Sequence, residues 1–70
     1  MQCKFKERIK QLRLDNGMSQ NKLAKALNVG RQTIVNWEVR GSEPDFSTLI
    51  QIAQFFNVTT DYLIGMVDEL

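Results

Sequence analysis

The 70-residue sequence predicts an all-α fold, a compact bundle of five helices. Apolar residues recur at helical spacing in several segments, and no segment shows the sustained alternation that is typical of a strand. Short connectors rich in Gly, Asn and Ser separate these segments, as expected between helices. Because neither a repeat nor a linker interrupts the pattern, we expect residues 1–70 to form a single domain with its core at about 5–65.

The first two helices have clear boundaries. The first is predicted from about Lys4 to Asp15, and the Asn16-Gly17 pair after it tolerates the left-handed backbone that ends many helices. The second is predicted over Gln20–Leu27, with Ser19 as a suitable N-cap. The apolar stripes of the two helices consist of Phe5, Ile9 and Leu12 and of Leu23, Ala24 and Leu27.

A third helix is predicted from near Arg31 to about Val39, after the connector Asn28-Val29-Gly30. If Ile34 marks the inward direction, the period of about 3.6 residues places Trp37 and Glu38 on the inward side as well. The nearly opposite side carries Gln32, Asn36 and Val39, and the flanks carry Thr33, Val35 and Arg40.

The remaining two helices follow the loop at residues 41–44. Asp45 is a plausible N-cap for the fourth helix, and Asn57-Val58 interrupts that helix. Thr59 then caps a short fifth helix, which we expect Gly65 to end. The stripe of the fourth helix consists of Leu49, Ile52, Ala53 and Phe56.

The composition excludes several classes of function. The chain has no histidine and a single cysteine, Cys3, so it lacks the residues for a Cys/His zinc cluster, an intrachain disulfide or a nucleophile–histidine pair. No apolar run approaches the about 18 residues of a membrane span. We therefore expect a cytoplasmic protein that is not an enzyme and has no membrane partner, no metal and no cofactor.

The charges are distributed unevenly along the chain. All nine basic residues lie in residues 1–40, where three acidic residues leave a net charge of +6. Residues 41–70 hold five acidic residues and no basic residue, a net charge of −5. Such polarity suits a protein that presents one side to an anion and keeps another side away from it. The alternative is chance clustering on solvated helices.

The second and third helices, at about residues 20–39, have the spacing of a helix-turn-helix, whose second helix enters the DNA major groove. The outward side of the third helix carries suitable chemistry for that groove. Gln32 and Asn36 can bond adenine, Arg31 can bond guanine, and the methyl groups of Val35 can contact thymine. A polar solvated surface is the alternative, but residues 31–36 include no carboxylate.

The stretch SQNKLAKALNVGRQTIVNWE, followed by Pro44 and LIQIAQFFNVTTDYLIG, resembles the Cro/C1-type (xenobiotic-response-element) helix-turn-helix family, which includes lambdoid phage repressors. The resemblance covers about residues 5–65. It implies a lambda-repressor-like fold of five helices that binds double-stranded DNA, usually as a homodimer on a paired or palindromic operator.

The resemblance also implies roles for particular residues. Base-reading positions of the family fall on Arg31, Gln32 and Asn36, with Thr33 and Val35 adjacent to them. A phosphate-clamping position falls on Gln20, and the helix N-terminus makes Ser19 suitable beside it. Arg40 and Ser42 are expected near the same DNA strand.

The end of the third helix departs from the family. Many members have a glycine two residues after the Trp-Glu pair, whereas this chain has Val39-Arg40-Gly41. Either the helix continues one residue further, or Arg40 adopts a strained left-handed cap.

Arg13 and Glu38 are charged residues on the inward sides of their helices. An inward charge needs a partner, so we predict that these two residues form an ion pair, as the resemblance also implies. The alternative is that each side chain reaches solvent independently. The candidates for a dimer surface are Leu63, Ile64, Met66, Val67 and Leu70, which could instead complete the monomer core or form a tail.

The expected function is sequence-specific binding of double-stranded DNA by a bacterial or phage transcriptional regulator, with repression as the expected sign. One alternative is an antitoxin-like protein whose main surface binds another protein. A second is an interaction module that keeps the fold without reading DNA.

Overall fold

The structure, a computed structural model, describes residues 3–68 and contains five helices in that range, with no strand. In chain order they are α1 (Phe5–Asp15), α2 (Gln20–Leu27), α3 (Arg31–Val35), α4 (Phe46–Phe56) and α5 (Thr60–Ile64). A π-helical segment, Asn36–Arg40, continues α3 without a break. The all-α prediction is therefore confirmed. Within the described residues, no helix has the length and apolar character needed to cross a membrane.

Side-chain caps start three of the helices where the sequence predicts them. The Ser19 hydroxyl accepts a hydrogen bond from the Lys22 N–H at 3.0 Å and opens α2. The Asp45 carboxylate accepts from the Thr48 N–H at 2.8 Å and opens α4. The Thr59 hydroxyl opens α5 in the same way. Each cap satisfies a backbone donor that has no partner inside its helix.

The third helix differs from its prediction. We predicted one α-helix to about Val39, whereas α-helical bonding ends at Val35 and the wider π-helical turn carries the chain to Arg40. Gly41 then ends the segment with φ of 76°. Of the two endings that the sequence allows, the structure has the longer one, because only glycine adopts this left-handed conformation without strain.

The core lies between α1, the α2–α3 unit and the last two helices. Phe5 and Trp37 meet edge to face with ring centroids 5.7 Å apart, a favourable arrangement that joins α1 to the π-helical segment. The buried apolar residues are Phe5, Ile9, Leu12, Leu23, Ala24, Leu27, Ile34, Trp37, Ile52, Ala53 and Leu63. Nearly all of the predicted stripe positions are in this set, and Leu49 and Phe56 pack against it half-buried.

The predicted dimer surface needs a correction at Leu63. This side chain is fully buried in the monomer, with 0% exposure, because α5 turns it toward the core. Ile64 is half-buried, whereas Met66 and Val67 are exposed. Leu70 lies outside the described residues.

The two ends of the described chain are held together. The Lys4 N–H donates to the Ile64 carbonyl at 3.0 Å, and Arg8 Nη2 donates to Asp68 Oδ1 at 2.9 Å. The Arg8 guanidinium also lies 4.1 Å above the Tyr62 ring. Polar interactions with Tyr62 and with Asp68 raise the pKa of Arg8. These contacts fix α1 against α5 and leave α2 and α3 on another part of the molecule.

Candidate nucleic-acid interface

A three-residue turn positions α3 against α2. Asn28 adopts the left-handed conformation at φ 57°, and the Val29 N–H returns to the Ala24 carbonyl at 2.9 Å. This pattern of bonds ends α2 and redirects the chain sharply. Gly30 then takes an extended conformation as the N-cap residue of α3. Ala24 is buried, and its small side chain allows the two helices to approach closely.

Apolar and charged anchors fix the rotation of α3 and its π-helical continuation. Ile34 and Trp37 are buried in the core, and Glu38 is buried beside them. These are the three inward positions that the helical period predicts. Because packing holds these three residues in place, the side chains on the opposite side of the helix face away from the core.

The buried ion pair predicted between Arg13 and Glu38 is present. Arg13 Nε donates to Glu38 Oε2 at 2.7 Å, and Nη2 donates to Oε1 at 2.9 Å. Arg13 Nη1 also donates to the Met18 carbonyl at 2.8 Å. This two-pronged contact raises the pKa of Arg13, against the opposing effect of burial. The pair thus ties α1 and the turn before α2 to the π-helical segment.

Gln20 connects this ion pair to the surface. Its Nε2 donates to Glu38 Oε1 at 3.3 Å, and its Oε1 accepts from Arg31 Nη2 at 3.4 Å. Gln20 is half-buried and Arg31 is exposed. This link could not be predicted from the sequence, because Gln20 and Arg31 lie in different helices and no local spacing relates them.

The outward side of α3 carries a row of amide and guanidinium groups. Gln32 and Arg31 are exposed, and Gln32 Nε2 donates to Asn36 Oδ1 at 3.1 Å. Thr33 and Val35 are half-buried at the flanks of this row. The structure thus brings Arg31 to Gln20 and Gln32 to Asn36, so four of the predicted contact residues form two bonded pairs.

The predicted phosphate-contacting residues lie at two separate places. Ser19 and Gln20 are at the start of α2, whereas Arg40 and Ser42 are exposed at the end of the π-helical segment. The Ser42 N–H donates to the Asn36 carbonyl at 3.0 Å, and this bond fixes the start of the loop. Among residues 3–68, no group of three or more His, Cys, Asp or Glu side chains is placed to hold a metal ion.

Comparison with known proteins identifies the family to which this chain belongs. A helix-turn-helix family model matches residues 9–63, most of the chain. The chain belongs to the Cro/C1-type helix-turn-helix family. In this Cro/C1-type chain, the matched residues include α2, α3 and the π-helical segment, the elements that present the row of outward side chains.

Several relatives are named as regulators of transcription. The chain is 37% identical over 59 residues to the HTH-type transcriptional regulator ImmR of Bacillus subtilis, covering 84% of this chain and 46% of ImmR. It is 38% identical over 61 residues to the HTH-type transcriptional activator BcrR of Enterococcus faecalis, covering 87% of this chain and 30% of BcrR. This Cro/C1-type chain therefore spans less than half the length of either relative.

Two further similarities extend over the whole domain. An HTH-type transcriptional regulator of Archaeoglobus fulgidus is 36% identical over 65 residues, which cover 93% of each chain. The crystal structure of a transcriptional regulator from Listeria innocua superimposes with a TM-score of 0.88 at 30% identity, covering 100% of this chain and 65% of that one. The predicted fold and family are thereby confirmed.

Proposed function

We propose that this chain regulates transcription by binding double-stranded DNA sequence-specifically, with α3 and the π-helical segment in the major groove. The observation that carries the proposal is the outward row of Arg31, Gln32 and Asn36 on a helix that follows a three-residue turn. Glu38 is the nearest carboxylate in sequence, and it is buried against Arg13. The face that meets the groove thus carries donors without a carboxylate that would repel phosphate.

The bond between Gln32 and Asn36 supports a particular mode of reading. It uses an N–H of Gln32 and the carbonyl of Asn36, so Gln32 Oε1 and Asn36 Nδ2 can turn to a ligand. An acceptor beside a donor is the complement of adenine, which presents the N6 amino group and N7 in the major groove. We assign this amide pair to an adenine and Arg31 to a guanine, whose O6 and N7 accept from a guanidinium.

Phosphate contacts would hold the helix in register. Ser19 and Gln20 lie at the start of α2, where free backbone N–H groups favour an anion. Arg40 and Ser42 lie at the far end of the stretch formed by α3 and the π-helical segment. Contacts at both ends fix the angle at which α3 enters the groove, and they carry no sequence information of their own.

Selection of binding sites from random duplexes tests the proposal. We expect a short motif to emerge, and we expect Gln32→Ala and Asn36→Ala to lose preference at the same base pair. Arg40→Ala is the matched phosphate variant, which should weaken binding to all duplexes and reduce the slope of log K against log salt by about 1. Recovery of random sequences, or equal weakening at every base by the two amide variants, would overturn the assignment.

We also propose that the chain binds as a homodimer on two half-sites. One small module makes few base contacts, and two half-sites about one helical turn apart supply the missing affinity. Exposed apolar side chains in the acidic half of the chain are suited to the contact, since that half would be repelled by DNA. With Leu63 removed from the candidates, the surface consists of Ile64, Met66 and Val67, and it adjoins Phe46, which is 85% exposed.

Sedimentation at micromolar concentration, with and without the selected duplex, tests this part separately. We expect two chains per duplex, and we expect Met66→Asp to weaken pairing without changing the recovered half-site. One chain per duplex at all concentrations would contradict the homodimer.

Repression is the sign of regulation that we propose, because a protein occupying the major groove of a promoter blocks polymerase without any further surface. Activation would require a second surface that contacts polymerase; the relative BcrR is named as a transcriptional activator. A reporter driven by a promoter that contains the selected site distinguishes the two. Lower expression on adding the protein supports repression, and higher expression contradicts it.

A further inference from the structure

Val39 is an apolar side chain that the structure leaves exposed in the π-helical segment. It is 61% exposed, although its neighbours Trp37 and Glu38 are almost fully buried. An isolated exposed valine is ordinary on a protein surface and indicates nothing by itself. Val39 is of interest because it lies in the same helical stretch as Gln32 and Asn36, the proposed base-reading amides.

The anchors of the π-helical segment determine where Val39 points. Trp37 packs against Phe5, and Glu38 is held by two hydrogen bonds from Arg13. Asn36 precedes the two buried anchors and Val39 follows them, so both lie on the outward half of the segment, with Val39 on the flank opposite Asn36. The outward half thus carries a branched hydrocarbon as well as the two amides.

The backbone around Val39 is fixed before any ligand binds. The π-helical segment extends through Arg40, and the N–H groups of Gly41 and Ser42 both reach the Asn36 carbonyl. Val39 is therefore a helical residue and not part of the loop. Because a β-branched side chain has few rotamers, little conformational entropy is lost when Val39 is covered.

The major groove displays one apolar group, the C5 methyl of thymine. We propose that Val39 is a further base-contacting residue that recognises a thymine methyl, beyond the base pair read by Gln32 and Asn36. This inference rests on the proposed DNA binding and assigns one more position of the same half-site. Val35, the other valine of α3 and the π-helical segment, is half-buried.

Replacement of single thymines by deoxyuridine in one half-site of the selected duplex tests the proposal, because it removes only the methyl group. At one thymine, we expect the wild-type affinity to fall about fourfold, the equivalent of one methyl of about 0.8 kcal/mol. Val39→Ala should bind the thymine and deoxyuridine duplexes equally at that position.

Two controls separate the possible failures. Leu14→Ala changes another exposed apolar residue, 52% exposed on α1, and should leave the deoxyuridine effect unchanged. Thermal unfolding should show that Val39→Ala is folded, because the side chain that it removes is exposed. If Val39→Ala retains the full deoxyuridine effect, or if no thymine of the half-site shows one, Val39 is not a reader even though the duplex is bound. If selection recovers no motif at all, the proposed function fails first and this inference fails with it.

Discussion

At the scale of single residues, Glu38 is the charged side chain that most constrains the position of α3 and the π-helical segment. It is buried, its two oxygens accept from Arg13, and one of them also accepts from Gln20. A carboxylate in this position costs desolvation, and the hydrogen bonds offset that cost only while both partners are present. The pair therefore fixes the orientation of the unit more than it adds net stability.

Removal of one partner of this pair should be costly. We expect Glu38→Ala to lower the free energy of unfolding by about 2–4 kcal/mol, because it leaves the Arg13 guanidinium largely buried without its partner. Chemical denaturation measures the change, and Glu43→Ala, at an exposed carboxylate of the following loop, is the matched control with an effect within about 0.5 kcal/mol. A loss below about half a kcal/mol for Glu38→Ala would count against the structural role of the pair.

At the scale of elements, the π-helical segment is the part that sequence patterns did not predict. The apolar period identifies Ile34 and Trp37 as inward residues whether the turn is α-helical or π-helical, so it cannot distinguish the two. Gly41 indicates where the helix ends but not which carbonyl the terminal N–H groups reach. By contrast, Ser19, Asp45 and Thr59 act through contacts three residues away, and such local chemistry is readable from sequence.

The same limit applies to the candidate site. The outward position of Gln32 follows from the helical period alone, and the Arg13–Glu38 pair follows from two inward charges. The bridge through Gln20 could not be predicted, because it depends on the angle at which α2 and α3 cross. Leu63 was misplaced for a related reason, since a five-residue helix has too few apolar residues to define its inward side.

Gly41 provides a test of how the π-helical segment ends. We expect Gly41→Ala to destabilise the protein by about 1 kcal/mol, because a side chain at φ 76° is strained. Among residues 3–68, a Cβ at this position would come within 4 Å only of Lys6 Cδ, at 4.0 Å, so the cost reflects conformation and not crowding. Gly41→Asn, which tolerates the left-handed region, should be less costly. Equal thermal unfolding of wild type and both variants would mean that the segment ends differently.

The N-cap of α4 should make stability depend on pH in acid. Hydrogen bonds from Thr48 hold the pKa of the Asp45 carboxyl below its ordinary value. Because the folded-state pKa is the lower one, the contribution of Asp45 is complete above about pH 4 and is lost as pH falls through the depressed pKa. We expect Asp45→Asn, which can still cap, to flatten the fall in melting temperature below pH 4. An unchanged acid profile would show that the Asp45 charge does not contribute.

At the scale of the whole molecule, two kinds of surface are separated along the chain. The basic residues and the reading row belong to residues 1–40, and the acidic residues belong to residues 41–70 with the exposed apolar side chains Phe46, Met66 and Val67. Lys4 and Arg8 of the basic part contact Asp68 of the acidic part, so we propose that the other basic residues face DNA and the exposed apolar side chains face a second copy of the chain. The hydrogen bonds and ion pairs that hold α1 to α5 keep the two parts in a fixed relation.

The specificity ratio tests most directly whether the outward side of α3 reads base pairs. Binding titrations at physiological salt compare the selected duplex with a scrambled duplex of the same composition, for wild type and for the double variant Gln32→Ala, Asn36→Ala. We predict a ratio of about 10³ or more for wild type and a ratio lower by at least tenfold for the double variant. A wild-type ratio near one, or a ratio that the double variant leaves intact, would contradict the claim.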